Sequence, residues 1–281
     1  MTEHELIGYV FMGTLGAFFL LGLPAYYFLR KNRTLASGSP VSGKVATWPL
    51  QPLDLVVASG YIAFFVAGWK LSGSVDQKEA LSKANAWMIA GNSLIMLVFA
   101  AMVPLVMFWR IRPEKFFGLN WPQWRWIFLI VPCFLVGVMV VAAIIMTLGW
   151  QKFVEGNFGG DVQATVQMIK ETQDIALISA MISAAVVGAP IAEEIIFRGY
   201  LYPVAKKYTS TWFAAMFTGV LFGVVHMNLL GLPILALMGV ALAVLYERTG
   251  SLWAPIFCHM AFNGMQMFFM LFLKYFPVPA S

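Results

Sequence analysis

Three ionisable side chains, Glu193, Glu194 and Arg198, stand inside the otherwise apolar stretch APIAEEIIFRGYL, residues 189–201. Two of the chain's three histidines also stand in apolar runs: His226 closes LFGVVHMN, and His259 lies in FCHMAFNGM with Asn263 four residues on. An ionisable group inside a membrane span costs at least ~2.5–3.5 kcal/mol on insertion scales, so these few residues carry the functional reading. Glu194 and Arg198 are i and i+4, on one helix face and within ion-pair reach. Such a pair lowers the burial cost of both charges, and its plain role is structural. Glu193 is rotated about 100° from Glu194, is not committed to the arginine, and is free to face a cavity. His259 and Asn263, again i and i+4, present an imidazole beside a carboxamide. A carboxylate and an imidazole that converge on one water can deprotonate it. A second imidazole and an amide can donate hydrogen bonds to a developing oxyanion. Together these are the parts of a hydrolase that attacks a peptide carbonyl with water. No Ser or Cys stands in a nucleophile-elbow setting. Glu193, His226 and His259 are equally a three-ligand zinc set with an open fourth position, although the helical HExxH form is absent. Taken singly, each of these histidines reads as a polar contact between helices.

The elements that must position these groups are membrane helices. The chain has 281 residues, 60% hydrophobic and 11% charged, with a mean hydropathy of +0.80. A soluble domain carries roughly 25% charged residues. The apolar runs lack the two-residue alternation of barrel strands, so the sequence predicts an all-α, polytopic transmembrane helix bundle. About eight spans are expected, near 6–29, 54–70, 86–109, 126–149, 175–192, 212–226, 231–246 and 252–273. The sixth and seventh are short for a hydrocarbon core of ~30 Å, which suits helices packed inside the bundle, or around a water-filled cavity, rather than facing lipid. The bundle is expected to be a single membrane domain over 1–281, with an N-terminal four-helix half (1–150) and a catalytic half (174–273). The net charge of +5 lies in loops beside apolar spans and points to lipid headgroups, not nucleic acid. Eleven Lys and Arg residues fall in the odd-numbered connections and six in the others, so both termini are expected on the non-cytosolic side. The acidic start MTEHEL argues against a cleavable signal. Cys133 and Cys258 read as small buried side chains. The Ser/Gly/Pro-rich stretch 30–52 reads as a mobile linker. Segment 110–126, with Phe116, Phe117, Trp121, Trp124 and Trp126, suits the headgroup plane. Gly188 and Pro190 predict a break that starts a new helix, or a kink, just before the glutamates. Tyr200 and Tyr202 read as packing residues placed where they could line the cavity mouth.

The stretches EEIIFR (193–198), FGVVH (222–226) and HMAFN (259–263) resemble, in order, the three motifs of the CAAX-protease and bacteriocin-processing intramembrane proteases, which include the type II prenyl-protein endopeptidases. The resemblance covers roughly residues 175–270 and leaves the first four spans matched only in hydrophobicity. It implies a membrane-embedded endopeptidase in a cell membrane, a bacterial inner membrane, acting on a peptide or a membrane-anchored protein. Glu193 would be the general base, with His226 positioning and activating the water. His259 and Asn263 would stabilise the oxyanion, and Arg198 would pair with Glu194. The family has been described both as metalloproteases and as metal-independent glutamate proteases. No carboxylate behind the histidines is apparent in the sequence, which favours a metal-free water. The groups are expected at the cytosolic end of span five. The readings left in competition are a proton-coupled transporter, since membrane Glu and His also build proton relays, and a non-catalytic scaffold.

Overall fold

The computed structural model describes residues 43–72, 84–158 and 164–276, with scattered positions before residue 14. The expected first span, 6–29, and the front of the expected linker lie largely outside the described residues. Every regular element among the described residues is helical. They are α1 (Leu53–Ser72), α2 (Ala86–Met107), α3 (Pro113–Phe116), α4 (Ile127–Thr147), α5 (Trp150–Phe158), α6 (Ala164–Glu171), α7 (Ile175–Ser183), α8 (Ala189–Ile196), α9 (Tyr202–Tyr208), α10 (Thr211–Val225), α11 (Leu232–Thr249) and α12 (Trp253–Tyr275). Five helical stretches are long and apolar enough to cross a membrane: Ala86–Met107, Trp124–Thr147, Ile175–Tyr208, Leu232–Thr249 and Trp253–Tyr275. Leu53–Trp69 and Thr211–Val225 are shorter apolar helices. The chain is thus a polytopic helical membrane protein, and each expected span after the first coincides with one of these helices.

Local sequence fixes the helix ends. The Asn85 side chain accepts from the Met88 amide at the start of α2, Asp174 accepts from Ala176 and Leu177 at the start of α7, and Ser210 accepts from Phe213 at the start of α10. Gly250, in the left-handed region at φ 72°, ends α11.

α7, α8 and α9 form one continuous helix of 34 residues, Ile175–Tyr208, joined by π-helical turns at Ala184–Gly188 and Phe197–Leu201. The expected break at Gly188 does not occur; Gly188 keeps right-handed helical angles (φ −61°, ψ −54°). Each π turn is followed two residues later by a proline, Pro190 and Pro203. A proline ring inside an α-helix clashes with the carbonyl four residues back, and the wider turn relieves that clash without ending the helix. The fifth span therefore does not stop near 192. Glu193 lies 18 residues from the helix start, about 27 Å along an axis of about 51 Å.

α10 and α11 cross at backbone contact. A Cβ on Gly239 would come 2.8 Å from Gly219 Cα, and one on Gly223 would come 2.9 Å from the Ala236 amide nitrogen. Gly219 and Gly223 form a G-x-x-x-G face, the small-residue packing that lets membrane helices approach closely.

Several expectations for the loops change. The end of the linker is pinned: Val45 and Leu50 are buried, the Val45 amide donates to Glu247 Oε1 (3.2 Å), and Lys207 Nζ donates to the Leu50 carbonyl. Lys206, counted in the sequence as a loop cation, is wholly buried and bonds both Glu247 oxygens (2.8 Å) and the Val45 carbonyl (3.0 Å). Phe116 and Phe117 belong to the core rather than the headgroup plane, while Trp124 and Trp126 are exposed. Tyr200 and Tyr202 do not line the cavity that holds Glu193; both are fully buried and donate to Asp54 Oδ1 (2.7 Å) and Glu247 Oε2 (2.5 Å). Cys258 is buried, but Cys133 lies exposed on α4.

Candidate functional site

Three helices bring the motif residues together: the continuous helix 175–208, α10 and α12. Glu193 and Glu194 come from α8, Arg198 from the second π turn, His226 from the residue that caps α10, and His259 and Asn263 from α12. Glu193 Oε2 lies 3.7 Å from His226 Nε2 and 3.8 Å from His259 Nε2. That oxygen is buried and has no hydrogen-bond partner among the described residues. Glu193, His226, His259 and Asn263 all line one cavity of about 590 Å³, whose remaining wall is mostly apolar side chains from α4, α11 and α12.

Both imidazoles are oriented by what holds the other ring nitrogen. His226 Nδ1 is 2.6 Å from the Phe222 carbonyl, and His259 Nδ1 is 2.8 Å from Glu194 Oε1. A carbonyl and a carboxylate can only accept, so each Nδ1 carries the proton and each Nε2 faces Glu193. Glu194 Oε1 is shared, because Arg198 Nη1 donates to it at 2.6 Å. Glu194 therefore stands behind His259 as the carboxylate that was not apparent in the sequence, and the argument against a metal drawn from its absence falls. Arg198 is fully buried, donates from Nη2 to the Gly239 carbonyl (3.0 Å), and lies 4.4 Å above the Phe222 ring. The close crossing of α10 and α11 is what brings that carbonyl within reach.

Asn263 Nδ2 donates to the Ala185 carbonyl at 2.8 Å. In the π register the partner of that carbonyl would be the amide of residue 190, which is a proline and has none. The carboxamide thus satisfies the carbonyl freed by the π turn and keeps one N–H to spare.

The sequence reading missed Phe222 as more than a motif letter. Its ring centroid is 4.6 Å from that of His226 and 5.5 Å from that of His259, and it also carries the arginine. The i, i+4 spacing of Phe222 and His226 was the available signal. Asn228 and Gln266, which also line the cavity, were missed too. Two carboxamides in apolar runs were the signal there.

Glu193, His226 and His259 are the donor types zinc takes, with both Nδ1 groups held as in metal sites. Among the described residues, however, no group of three His, Cys, Asp or Glu side chains converges closely enough to hold a metal ion. The donor types fit and the spacing does not, so no step below runs through a metal.

The site lies deeper than expected. Glu193 is near the midpoint of its helix, and His226 is at the end of α10, in the turn to α11. Trp150 Nε1 donates to the Leu230 carbonyl in that turn (3.1 Å), so the start of α5 lies at the same end of the bundle. That end carries the even-numbered connections. A site at the cytosolic end of span five and an orientation with odd-numbered connections in the cytosol are therefore not both satisfied.

A polytopic α-helical protein with a Glu/His-lined cavity inside its bundle is the class that fold and site define. Residues 175–265 match the family described as type II CAAX prenyl endopeptidase Rce1-like. A Bacillus subtilis protein named "Putative membrane peptidase YdiL" is 36% identical over 108 residues, which cover 38% of this chain and 42% of that protein. An Escherichia coli protein named "Uncharacterized 24.3 kDa protein" is 36% identical over 86 residues, covering 29% of this chain and 40% of that protein. The chain spans about two fifths of the length of these curated relatives. No solved structure matches it. Over residues 175–265 the chain is thus similar to the type II CAAX prenyl endopeptidase Rce1-like proteins and to a protein named as a membrane peptidase.

Proposed function

We propose that the protein is an intramembrane endopeptidase that hydrolyses a peptide bond with a water activated by Glu193 and His226. The observation that carries this reading is the buried, unpartnered Glu193 Oε2 facing two imidazole Nε2 atoms at 3.7 and 3.8 Å inside one cavity. Those distances are too long for direct hydrogen bonds, yet one water about 2.8 Å from each group spans them. Glu193 takes a proton from that water while His226 Nε2 accepts a hydrogen bond from the O–H that remains, and the oxygen attacks the carbonyl carbon. The carbonyl oxygen becomes an oxyanion. The free N–H of Asn263 donates to it, and a doubly protonated His259 donates to it from Nε2. The C–N bond then breaks, and the proton held by Glu193 passes to the leaving amine. Arg198 acts through Glu194, holding the carboxylate that orients His259. By family resemblance, the substrate is a peptide or membrane-anchored protein of the CAAX type or a related one.

The test is cleavage of a fluorogenic peptide by purified protein in detergent. Glu193→Gln is expected to lower kcat by about 100-fold or more, within the usual contribution of a general base. Activity is expected to survive a strong chelator. Loss of activity in chelator with recovery on zinc add-back would overturn the metal-free mechanism. Proton movement in liposomes without cleavage of any peptide would overturn the protease reading itself.

A further inference from the structure

Two carboxamides in the cavity wall belong to none of the three motifs. Asn228 follows His226 by two residues, and Gln266 lies two helical turns beyond His259 on α12. α12 runs antiparallel to α11, so the step from 259 to 266 rises about 10 Å toward the end of the bundle that carries the 226–231 turn. Gln266 therefore lies from His259 toward that end, where Asn228 stands in the turn itself. Gln266 is exposed near the middle of an apolar helix and has no hydrogen-bond partner among the described residues. Asn228 Oδ1 accepts from the Gly231 amide, which leaves its NH₂ group unspent. Met227, immediately before it, takes φ 52°, a left-handed conformation a bulky residue adopts rarely. That turn sends His226 and Asn228 into the same cavity.

A peptide carbonyl inside a helix is shielded by the helix itself, so a segment must unwind before water can attack it. An unwound segment in an apolar cavity carries unpaired N–H and C=O groups, which are costly to leave without partners. The wall otherwise offers little to meet them: Met139, Met146, Leu235, Phe262 and Met265 are apolar. A carboxamide offers both a donor and an acceptor, the same pair that a peptide unit presents.

Resting on the endopeptidase reading above, we infer that Asn228 and Gln266 bind the main chain of an unwound substrate segment beside the scissile bond. Asn228 donates to a substrate carbonyl; Gln266 donates to one carbonyl and accepts from an amide. Recognition is then of the extended backbone, with apolar side chains filling the rest of the cavity. The substrate class is an apolar, locally unwound polypeptide stretch read with little dependence on its sequence.

The test separates binding from hydrolysis. A fluorescein-labelled ten-residue peptide of Leu, Ala and Val is titrated with the Glu193→Gln protein in detergent, and anisotropy is read. The same protein with Asn228→Leu is expected to bind about five- to ten-fold more weakly, the loss of one hydrogen bond, and with Gln266→Leu more weakly still, the loss of two. A peptide N-methylated along its backbone lacks the N–H that Gln266 accepts from, so it should bind Glu193→Gln more weakly than the parent peptide does, and should lose less than the parent when Gln266→Leu is added. Gln266→Asn should restore part of the affinity. Size-exclusion profiles and melting curves identify any variant that fails to fold. Unchanged affinity in both folded carboxamide variants, or no binding of any such peptide to Glu193→Gln, overturns the inference. The endopeptidase reading fails on a different readout, the absence of cleavage by the wild-type protein.

Discussion

At the scale of single residues, the site is a chain of shared contacts rather than four independent groups. Glu194 Oε1 serves Arg198 and His259 at once, and both Glu194 and Arg198 are wholly buried. Removing one partner strands the other's charge in the core. Glu194→Ala and Arg198→Ala are each expected to destabilise the fold by about 3–5 kcal/mol, measured by thermal or denaturant unfolding in detergent. A shift near zero for either would mean that the pair is solvated and not holding His259. The i, i+4 spacing made the ion pair legible in the sequence. The carboxylate behind His259 was not legible, because it depends on how helices separated by 65 positions meet in space.

At the scale of elements, two devices place the site. The π turns on either side of α8 let prolines sit inside a single helix and free the carbonyl that Asn263 caps. The crossing of α10 and α11 at Gly219 and Gly239 delivers the Gly239 carbonyl to Arg198. Gly239→Val is expected to force these helices apart, cost about 1–3 kcal/mol of stability, and lower peptidase activity with it. Retained melting temperature and full activity would show that the crossing is tolerant. Helices were readable from apolar runs and their caps. The π turns were not, because a proline in an apolar run signals an interruption without saying whether the chain ends its helix or widens it. The short α10 was readable as a helix packed inside the bundle, since 15 residues rise only about 22 Å, and most of its residues are buried.

At the scale of the whole molecule, orientation in the bilayer decides which compartment the cavity serves. The Lys and Arg distribution predicts Lys115 in the cytosol and Asn157 outside. In a background lacking Cys133 and Cys258, Asn157→Cys is expected to react with an impermeant maleimide on intact cells, and Lys115→Cys only after lysis. The reverse pattern would place the His226 end of the bundle in the cytosol. Hydropathy made the bundle and most spans legible, but the depth of the glutamates was not, because the charged stretch looked like the end of a helix that in fact runs on to Tyr208. The segment shared with relatives is also stitched to residues outside it: Tyr200 to Asp54, Lys206 to Val45, Lys207 to Leu50. A graft of 175–265 alone into a foreign scaffold would arrive with the Tyr200 phenol and the Lys207 amine shorn of acceptors, and with Lys206 left to Glu247 alone. The transplantable unit is the segment together with its strap from 43 to 54.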